Sequence, residues 1–504
     1  MTDVTEPDQT DAALIRRGLA WRFSAEFVTQ VGRIAFAFLL ARLLTPTEYG
    51  LAGMALVVSG FVLVFSDLGL GTALVQRRKL SEPQISTVFW ASVASGLLFT
   101  LIGIGASSAA ATLFHQPEVR DLFAAMSLSF LITSLGATQG ALLTRAMDFR
   151  AIGARNVLGM LIGGVVGVVV AVMGGGAWAI VAQQLTFAVV STVLFWLATS
   201  WRPRLLLSLE SVKDLGGFGA NVLGNRFASI LQETSAPLLI GRLLGAASLG
   251  LYTLANNVVL TPIARVTLPL GQVLFPALSR HQDDPARIGS MWLKSLSLSS
   301  AVTLPALAGL VVVAPDFVTV TLGEKWADVV PVIQILVWVG AARAVQGPTT
   351  AVVLAIGKPK LLFHFSIVYL VASIAAIVVG VPWGIIGVAT AVMVVNVVLN
   401  VVWIGIVGRQ VSVRFADYRL ALSGVLQATV VMALTVWAVR MLLMSGGVDV
   451  VARLLLCIAA GFCVYLPVCR WRAPDTFNYL WRAGRSAIQA RWSTSAPRSS
   501  RTQT

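Results

Sequence analysis

Residues 39–75 read LLARLLTPTEYGLAGMALVVSGFVLVFSDLGLGTALV, and residues 239–275 read LIGRLLGAASLGLYTLANNVVLTPIARVTLPLGQVLF. At an offset of 200, without a gap, Leu39, Arg42, Leu43, Leu44, Gly50, Leu51, Ala55, Val58, Leu68, Leu70, Gly71 and Leu74 all recur. Each copy is two apolar runs joined by a short turn, so the chain reads as two similar halves. Duplicated helical bundles with a site between them are the usual build of membrane transporters.

Composition agrees with that reading. Apolar residues fill 57% of 504 positions and charged residues 12%, and the mean hydropathy is +0.84. A soluble chain carries about twice that charged fraction. About fourteen apolar segments are long enough to span a bilayer, each of roughly twenty residues or more. They run over 18–41, 50–75, 85–113, 119–143, 154–173, 177–200, 215–241, 249–276, 291–314, 328–356, 361–380, 383–407, 419–443 and 450–469. Membrane strands are about half that length, so the expected fold is an all-α polytopic bundle.

Basic residues then orient it. Arg16 and Arg17 precede the first span, and Arg77, Arg78 and Lys79 follow the second. Arg145, Arg150 and Arg155 follow the fourth, Arg202, Arg204 and Lys213 the sixth, and Arg280, Arg287 and Lys294 the eighth. Lys358 and Lys360 follow the tenth, and Arg409, Arg414 and Arg419 the twelfth. The opposite loops hold only Arg42, Arg120, Arg242, Lys325, Arg440 and Arg453. By the positive-inside rule both termini are cytoplasmic and the span count is even. The net charge of +15 is spread over segment ends rather than gathered in one patch, so it gives no nucleic-acid signal.

The expected domains follow from the repeat. A short cytoplasmic segment (1–17) leads into an N-lobe of six helices (18–200), an amphipathic linker (201–214) and a C-lobe of six (215–408). Six helices per half give two parallel repeats, hence a symmetry axis along the membrane normal. Two extra helices (409–470) and a basic tail (471–504) complete the chain. The tail alternates arginine with Trp471, Trp481 and Trp492, and reads equally as a segment on anionic lipid or as a solvated end. Residues 1–10 are polar and acidic, so no cleavable signal peptide is expected. Cys457, Cys463 and Cys469 read as small hydrophobes in one helix. His115, His281 and His364 lack metal spacing, and no metal, cofactor or catalytic residue is expected.

LLARLLTPTEYGL, FSDLGLGTALVQRR, MDFR at 147–150, GGGAWAIVAQQL at 174–185, LGEKW at 322–326 and GKPKLLF at 357–363 occur in that order. Together they resemble the oligosaccharide flippases (Wzx-type polysaccharide transporters) of the multidrug/oligosaccharidyl-lipid/polysaccharide exporter superfamily, over about residues 15–410. The resemblance implies a two-lobed, MATE-like bundle with a central cavity that works by alternating access. It further implies a bacterial inner-membrane protein moving an undecaprenyl-pyrophosphate-linked oligosaccharide between leaflets, for O-antigen or exopolysaccharide synthesis. Its partners would be that lipid-linked sugar, membrane lipids, and a polysaccharide polymerase with export machinery.

Ionisable groups at membrane depth are costly and default to functional candidates. Glu26, Gln30 and Arg33 lie on one face of the first span with Arg22. Asn221, Asn225, Arg226, Ser229, Gln232 and Glu233 stripe the seventh, Asn257, Thr261 and Arg265 the eighth, and Arg343 and Gln346 the tenth. One reading is a cationic cavity for pyrophosphate, formed by Arg33, Arg226, Arg265 and Arg343 with Gln30, Asn225 and Asn257. The other is structural ion pairs and polar glue between helices. The excess of basic over acidic groups at that depth favours the cavity. Asp67 is a candidate for binding a coupling proton or sodium, though an aspartate beside glycines more often caps or bends a helix. The offset of 200 also lays Glu26 on Arg226 and Arg33 on Glu233, swapping the charges between halves. That swap suggests two inter-lobe ion pairs.

Competing functions are a multidrug/cation antiporter, a lipid II-type precursor flippase, and a membrane glycan polymerase. A cation site should be acidic and aromatic, whereas the deep charges here are mostly arginine. A polymerase needs an extramembrane domain or paired carboxylates, and no connecting loop is long enough for one.

Overall fold

The computed structural model describes residues 9–66, 71, 74, 75, 80–206, 209–482 and 485, with the side chains of all but 9–24, 58–66, 209–233, 266 and 268. Among them the regular structure is helical: α1 (Gln9–Leu43), α2 (Pro46–Ser66), α3 (Glu82–Phe114), α4 (Val119–Arg145), α5 (Phe149–Val172) and α6 (Trp178–Ala198). There follow α7 (Leu209–Ser279), α8 (Pro285–Thr321), α9 (Val329–Ala355), α10 (Pro359–Gly380), α11 (Gly384–Gln410), α12 (Phe415–Ser445) and α13 (Val450–Arg472). Ten helical stretches among the described residues are long and apolar enough to cross a membrane. The all-helical polytopic fold read from the sequence is therefore present.

Two compact units form. One comprises Met1–Leu254 with Thr321–Trp326 and Val381–Ile385, and the other Ala255–Val320, Ala327–Gly380 and Ile386–Thr504. Within the first, the turn that opened the sequence analysis is built by short-range chemistry. Pro46 takes the first helical position of α2, and the Glu48 carboxylate accepts from the Thr45 amide (2.7 Å) and hydroxyl (2.9 Å). That is a capping box read off T-P-T-E. The matched turn of the second copy uses Gly245, at φ +81° inside α7, where any side chain would be strained.

The two copies of the turn then meet. A Cβ on Gly50 would overlap the carbonyl oxygen of Ala246 and lie 3.0 Å from the amide nitrogen of Gly250. A Cβ on Gly250 would overlap the carbonyl oxygen of Pro46 and lie 3.1 Å from the amide nitrogen of Gly50. Positions 46 and 246, and 50 and 250, are partners in the repeat. The contact is thus a local two-fold crossing at backbone distance. Trp326 of the LGEKW turn closes over it: its indole donates to the Ala41 carbonyl (2.6 Å), and its ring meets Tyr49 edge-on at 5.7 Å.

Lipid tails give no hydrophobic drive between helices, so close packing and polar glue must hold them. On α5, Cβ atoms at Gly163 and Gly167 would lie 2.8 Å and 3.1 Å from the carbonyl oxygens of Gln183 and Ala179 on α6. Thr100 of α3 donates to the Ser127 carbonyl of α4 (3.0 Å) and accepts from the Leu131 amide (3.3 Å).

The second unit is built in the same manner. Trp292 of α8 is fully buried and donates to Thr349 of α9 (3.2 Å), among Leu278, Ile288, Leu296, Val407 and Val411. Asn400 of α11 donates to the Ala342 carbonyl of α9 (2.9 Å). The α12–α13 hairpin is tied to α8 by charge. Asp316 accepts from Arg440 Nε (2.6 Å) and from Arg453 Nη2 (2.7 Å), all three side chains being nearly buried. Arg440 and Arg453, counted from the sequence with the loop cations, stand near the facing ends of α12 and α13, where Asp316 pairs with both. Residues 474–482 of the tail are helical and pack on α8, with Thr476 hydrogen-bonded to Ser297 (2.8 Å) and Lys294 over the Tyr479 ring (5.2 Å).

Gly50→Ala and Gly250→Ala should each lower the melting temperature of the purified protein by a few degrees, since overpacking costs about 1–3 kcal/mol. Gly105→Ala and Gly405→Ala, whose Cβ atoms would meet nothing within 4 Å, should leave it unchanged. Equal melting of all four variants in a thermal-shift assay would refute the crossing.

Candidate functional site

The second unit brings two of the expected arginines to one level. On α7, Val259 and Ile263 lie against Gly340 of α9, where a Cβ would be 3.1 Å and 2.6 Å from their side chains. One turn and more further on, Gly347 packs on the Thr267 carbonyl (2.9 Å) and Gly271 on the Gly347 carbonyl (3.2 Å). The contacts advance along both helices together, so the two run in the same direction. Arg265 falls between Ile263 and Thr267, and Arg343 between Gly340 and Gly347. The two arginines therefore share a depth, and both are exposed. Asn257 is also exposed, and its eight-residue spacing places it on the face of Arg265, about 12 Å away along the helix.

Arg33 belongs to the first unit. Gly32 beside it packs on Met160, and Phe36 packs on Gly164, so this part of α1 lies across the middle of α5. The Arg33 guanidinium is exposed and lies 5.7 Å from the centre of the Phe187 ring of α6. Arg155 of α5 lies 5.5 Å from the same ring and 4.5 Å from that of Phe195. Its Nη1 donates to Asn156 (3.1 Å), while its enclosed Nε has no partner among the described residues.

Sequence reasoning missed Arg155 as a site residue, placing it with the basic loop after the fourth span. The signal was its spacing: Arg155, Gly159, Gly163 and Gly167 recur every four residues. The arginine is thus the first step of the ladder by which α5 meets α6.

The remaining expectations divide. Gln30 is half-buried and Glu26 exposed on α1. Asp67 and the side chains of Asn225, Arg226 and Glu233 lie outside the described residues, and with them both expected inter-lobe pairs. Among the described residues no three His, Cys, Asp or Glu side chains gather as a metal would need. The chemistry on offer is that of guanidinium groups: permanently charged, fork-shaped donors suited to phosphate or carboxylate oxygens.

Comparison with known proteins places the chain. The family model for polysaccharide biosynthesis proteins matches residues 39–331. Lipopolysaccharide biosynthesis protein WzxC of Escherichia coli (strain K12) is 30% identical over 343 residues, 68% of this chain and 70% of that protein. Teichuronic acid biosynthesis protein TuaB of Bacillus subtilis (strain 168) is 27% identical over 479 residues, 94% of this chain and 98% of its own. The fold is similar to that of the lipid II flippase MurJ in an inward closed conformation, with a TM-score of 0.72 at 13% identity over 91% of this chain and 99% of that one. It is also similar to an inward-facing multidrug resistance MATE family transporter of the MOP superfamily, with a TM-score of 0.61 at 15% identity over 78% and 98%. The chain belongs to the family of polysaccharide biosynthesis proteins.

Proposed function

We propose that this chain is a flippase that carries an oligosaccharide, linked through pyrophosphate to undecaprenol, across the bacterial inner membrane. The observation that carries the proposal is the pair Arg265 and Arg343, set at one depth on parallel helices. Guanidinium groups facing lipid there would be prohibitively costly, so they line an aqueous path. A path with that charge suits a pyrophosphate and repels the organic cations that a multidrug exporter handles. The names of the relatives, which concern lipopolysaccharide and teichuronic acid biosynthesis, support a glycan cargo. The chain acts as a transporter rather than an enzyme and hands its cargo to a polymerase and export machinery. Arg33, Arg226, Gln30, Asn225 and Asn257 complete the path, and Asp67 is the candidate ion-coupling group.

Arg265→Ala and Arg343→Ala should each reduce glycan export about ten- to a hundredfold with the protein still in the membrane, as expected for one lost charge-assisted contact. Lysine at either position should recover only part of it, because the bidentate geometry goes. Full export by both alanine variants would remove the reading. Glu26 and Arg226, and Arg33 and Glu233, are proposed to pair between lobes in the empty state, with the pyrophosphate competing for the arginines. Glu26→Arg and Arg226→Glu should each abolish export and the double reversal should recover much of it; a double no better than the singles sinks the pairing.

The proposed topology has fourteen spans and both termini in the cytoplasm. It divides α7 at Gly245, separates α10 from α11 at Val381–Trp383, and adds α1 and α2 to the ten stretches above. A cytoplasmic reporter fused after Arg78, Lys213, Lys294 or Arg414 should be active, and one placed within 323–326 silent. Two reversed fusions would overturn the arrangement.

A further inference from the structure

The tail of the second unit starts well inside the ends of its neighbours. At the close of α13 the Arg472 carbonyl lies against Gly424 of α12, where a Cβ would overlap its oxygen. Gly424 is nine residues, about 14 Å, from the first residue of α12. Thr476, in the helix 474–482 that follows, is hydrogen-bonded to Ser297 (2.8 Å), twelve residues or about 18 Å along α8 from Pro285. Both contact points fall within apolar runs, 419–443 and 291–314. The tail helix therefore stands against the flank of the bundle at the edge of the membrane, not beyond it in free solution.

Its surface suits that level. Thr476, Phe477 and Leu480 are half-buried on the side toward α8, while Asp475, Asn478 and Arg482 are exposed on the opposite side. Tyr479 and Trp481, on the two edges between, are 50% and 53% exposed, and Trp471 at the end of α13 is 76% exposed. Such rings are at home at the membrane–water boundary, where the apolar body meets lipid and the polar tip meets headgroups. Cations are laid among them. Arg472 lies 5.1 Å from the centre of the Trp471 ring, Arg470 5.8 Å from that of Phe477, and Lys294 of α8 5.2 Å from that of Tyr479. None of the three has a carboxylate partner among the described residues. Residues 470–485 hold four arginines against one acid, Asp475.

We infer that Lys294, Arg470 and Arg472, with Trp471, Tyr479 and Trp481 around them, form a binding surface for anionic phospholipid headgroups, and that the tail helix lies in the interface as an anchor of the second unit. Depth and charge together select the occupant. A lipid phosphate is the anion that stands at this level, and the cytoplasmic leaflet carries a net negative charge that draws clustered arginine and lysine. Phosphatidylglycerol keeps that charge, whereas phosphatidylethanolamine cancels it with its own ammonium group. The surface needs no particular cargo and is independent of the flippase reading; only the choice of leaflet rests on the topology proposed above.

Native mass spectrometry on the delipidated full-length chain tests it, with phosphatidylglycerol and phosphatidylethanolamine titrated separately and inorganic phosphate as competitor. The unaltered protein should bind phosphatidylglycerol in preference to phosphatidylethanolamine. Arg470→Gln and Arg472→Gln should weaken phosphatidylglycerol binding about fivefold for each arginine lost and leave phosphatidylethanolamine binding as it was. Lysine at both positions should keep the preference, because the surface reads charge rather than fork geometry. Trp481→Ala should weaken both lipids alike. Arg150→Gln with Arg204→Gln, two exposed cations of the first unit, should change nothing. Equal binding of the two lipids by the unaltered protein would overturn the surface, as would unchanged phosphatidylglycerol affinity in a folded Arg470→Gln/Arg472→Gln protein. An equal loss in the Arg150→Gln/Arg204→Gln protein would reduce the effect to overall charge and overturn it. Displacement of the lipid by millimolar inorganic phosphate would make this a free-anion site and overturn the assignment to lipid.

Discussion

Backbone meets backbone where Pro46–Gly50 crosses Ala246–Gly250, and the two copies of the repeated turn depend on that approach. In hydrocarbon, apolar side chains gain nothing by leaving lipid for one another, so helices associate where their main chains can come close. Gly50 and Gly250 permit it here because neither has a Cβ to place where the partner's carbonyl oxygen stands. The capping box of Thr45 and Glu48 fixes the start of α2 so that Gly50 arrives in register. Gly245 turns the matched stretch of α7. Trp326, delivered by the LGEKW turn, then seals the end of α1 by an indole hydrogen bond.

Charge is distributed by a different rule. At the terminal hairpin a carboxylate is built for two arginines: Asp316 takes Arg440 and Arg453 together and fastens the hairpin to α8. One acid between two bases leaves a positive remainder, tolerable because the three groups lie near helix ends. Arg33, Arg155 and Arg343 have no such partner among the described residues. Their positions are enforced by aromatic rings and glycine contacts instead. That contrast separates cations that hold the fold from cations held by it.

Arginine rather than lysine is a physical choice in this setting. A lysine at membrane depth relieves its cost by losing a proton, whereas a guanidinium cannot. The planar group also lies favourably over phenyl rings, as Arg155 does over those of Phe187 and Phe195. A transporter that must attract a doubly charged headgroup and then release it gains from charges that are permanent and oriented without being paired.

The sequence by itself determined the class of molecule, the duplication and most helix boundaries, because apolar run length and turn residues are local properties. It also singled out Arg33, Arg265 and Arg343, since a charge inside an apolar run stands out without any structure. Only the tertiary structure decided what those charges are near. The level match of Arg265 with Arg343 depends on how Gly340, Gly347 and Gly271 let α7 and α9 approach. The surroundings of Arg155 were hidden because its neighbours in sequence, Ala154 and Asn156, resemble a loop margin, and its partner rings stand some thirty and forty residues away on α6. Asp316 likewise met Arg440 and Arg453 across 124 and 137 residues. Pairings of that range come from which helix faces which, and helix packing in a membrane is set by small-residue contacts that carry no periodic signal of their own.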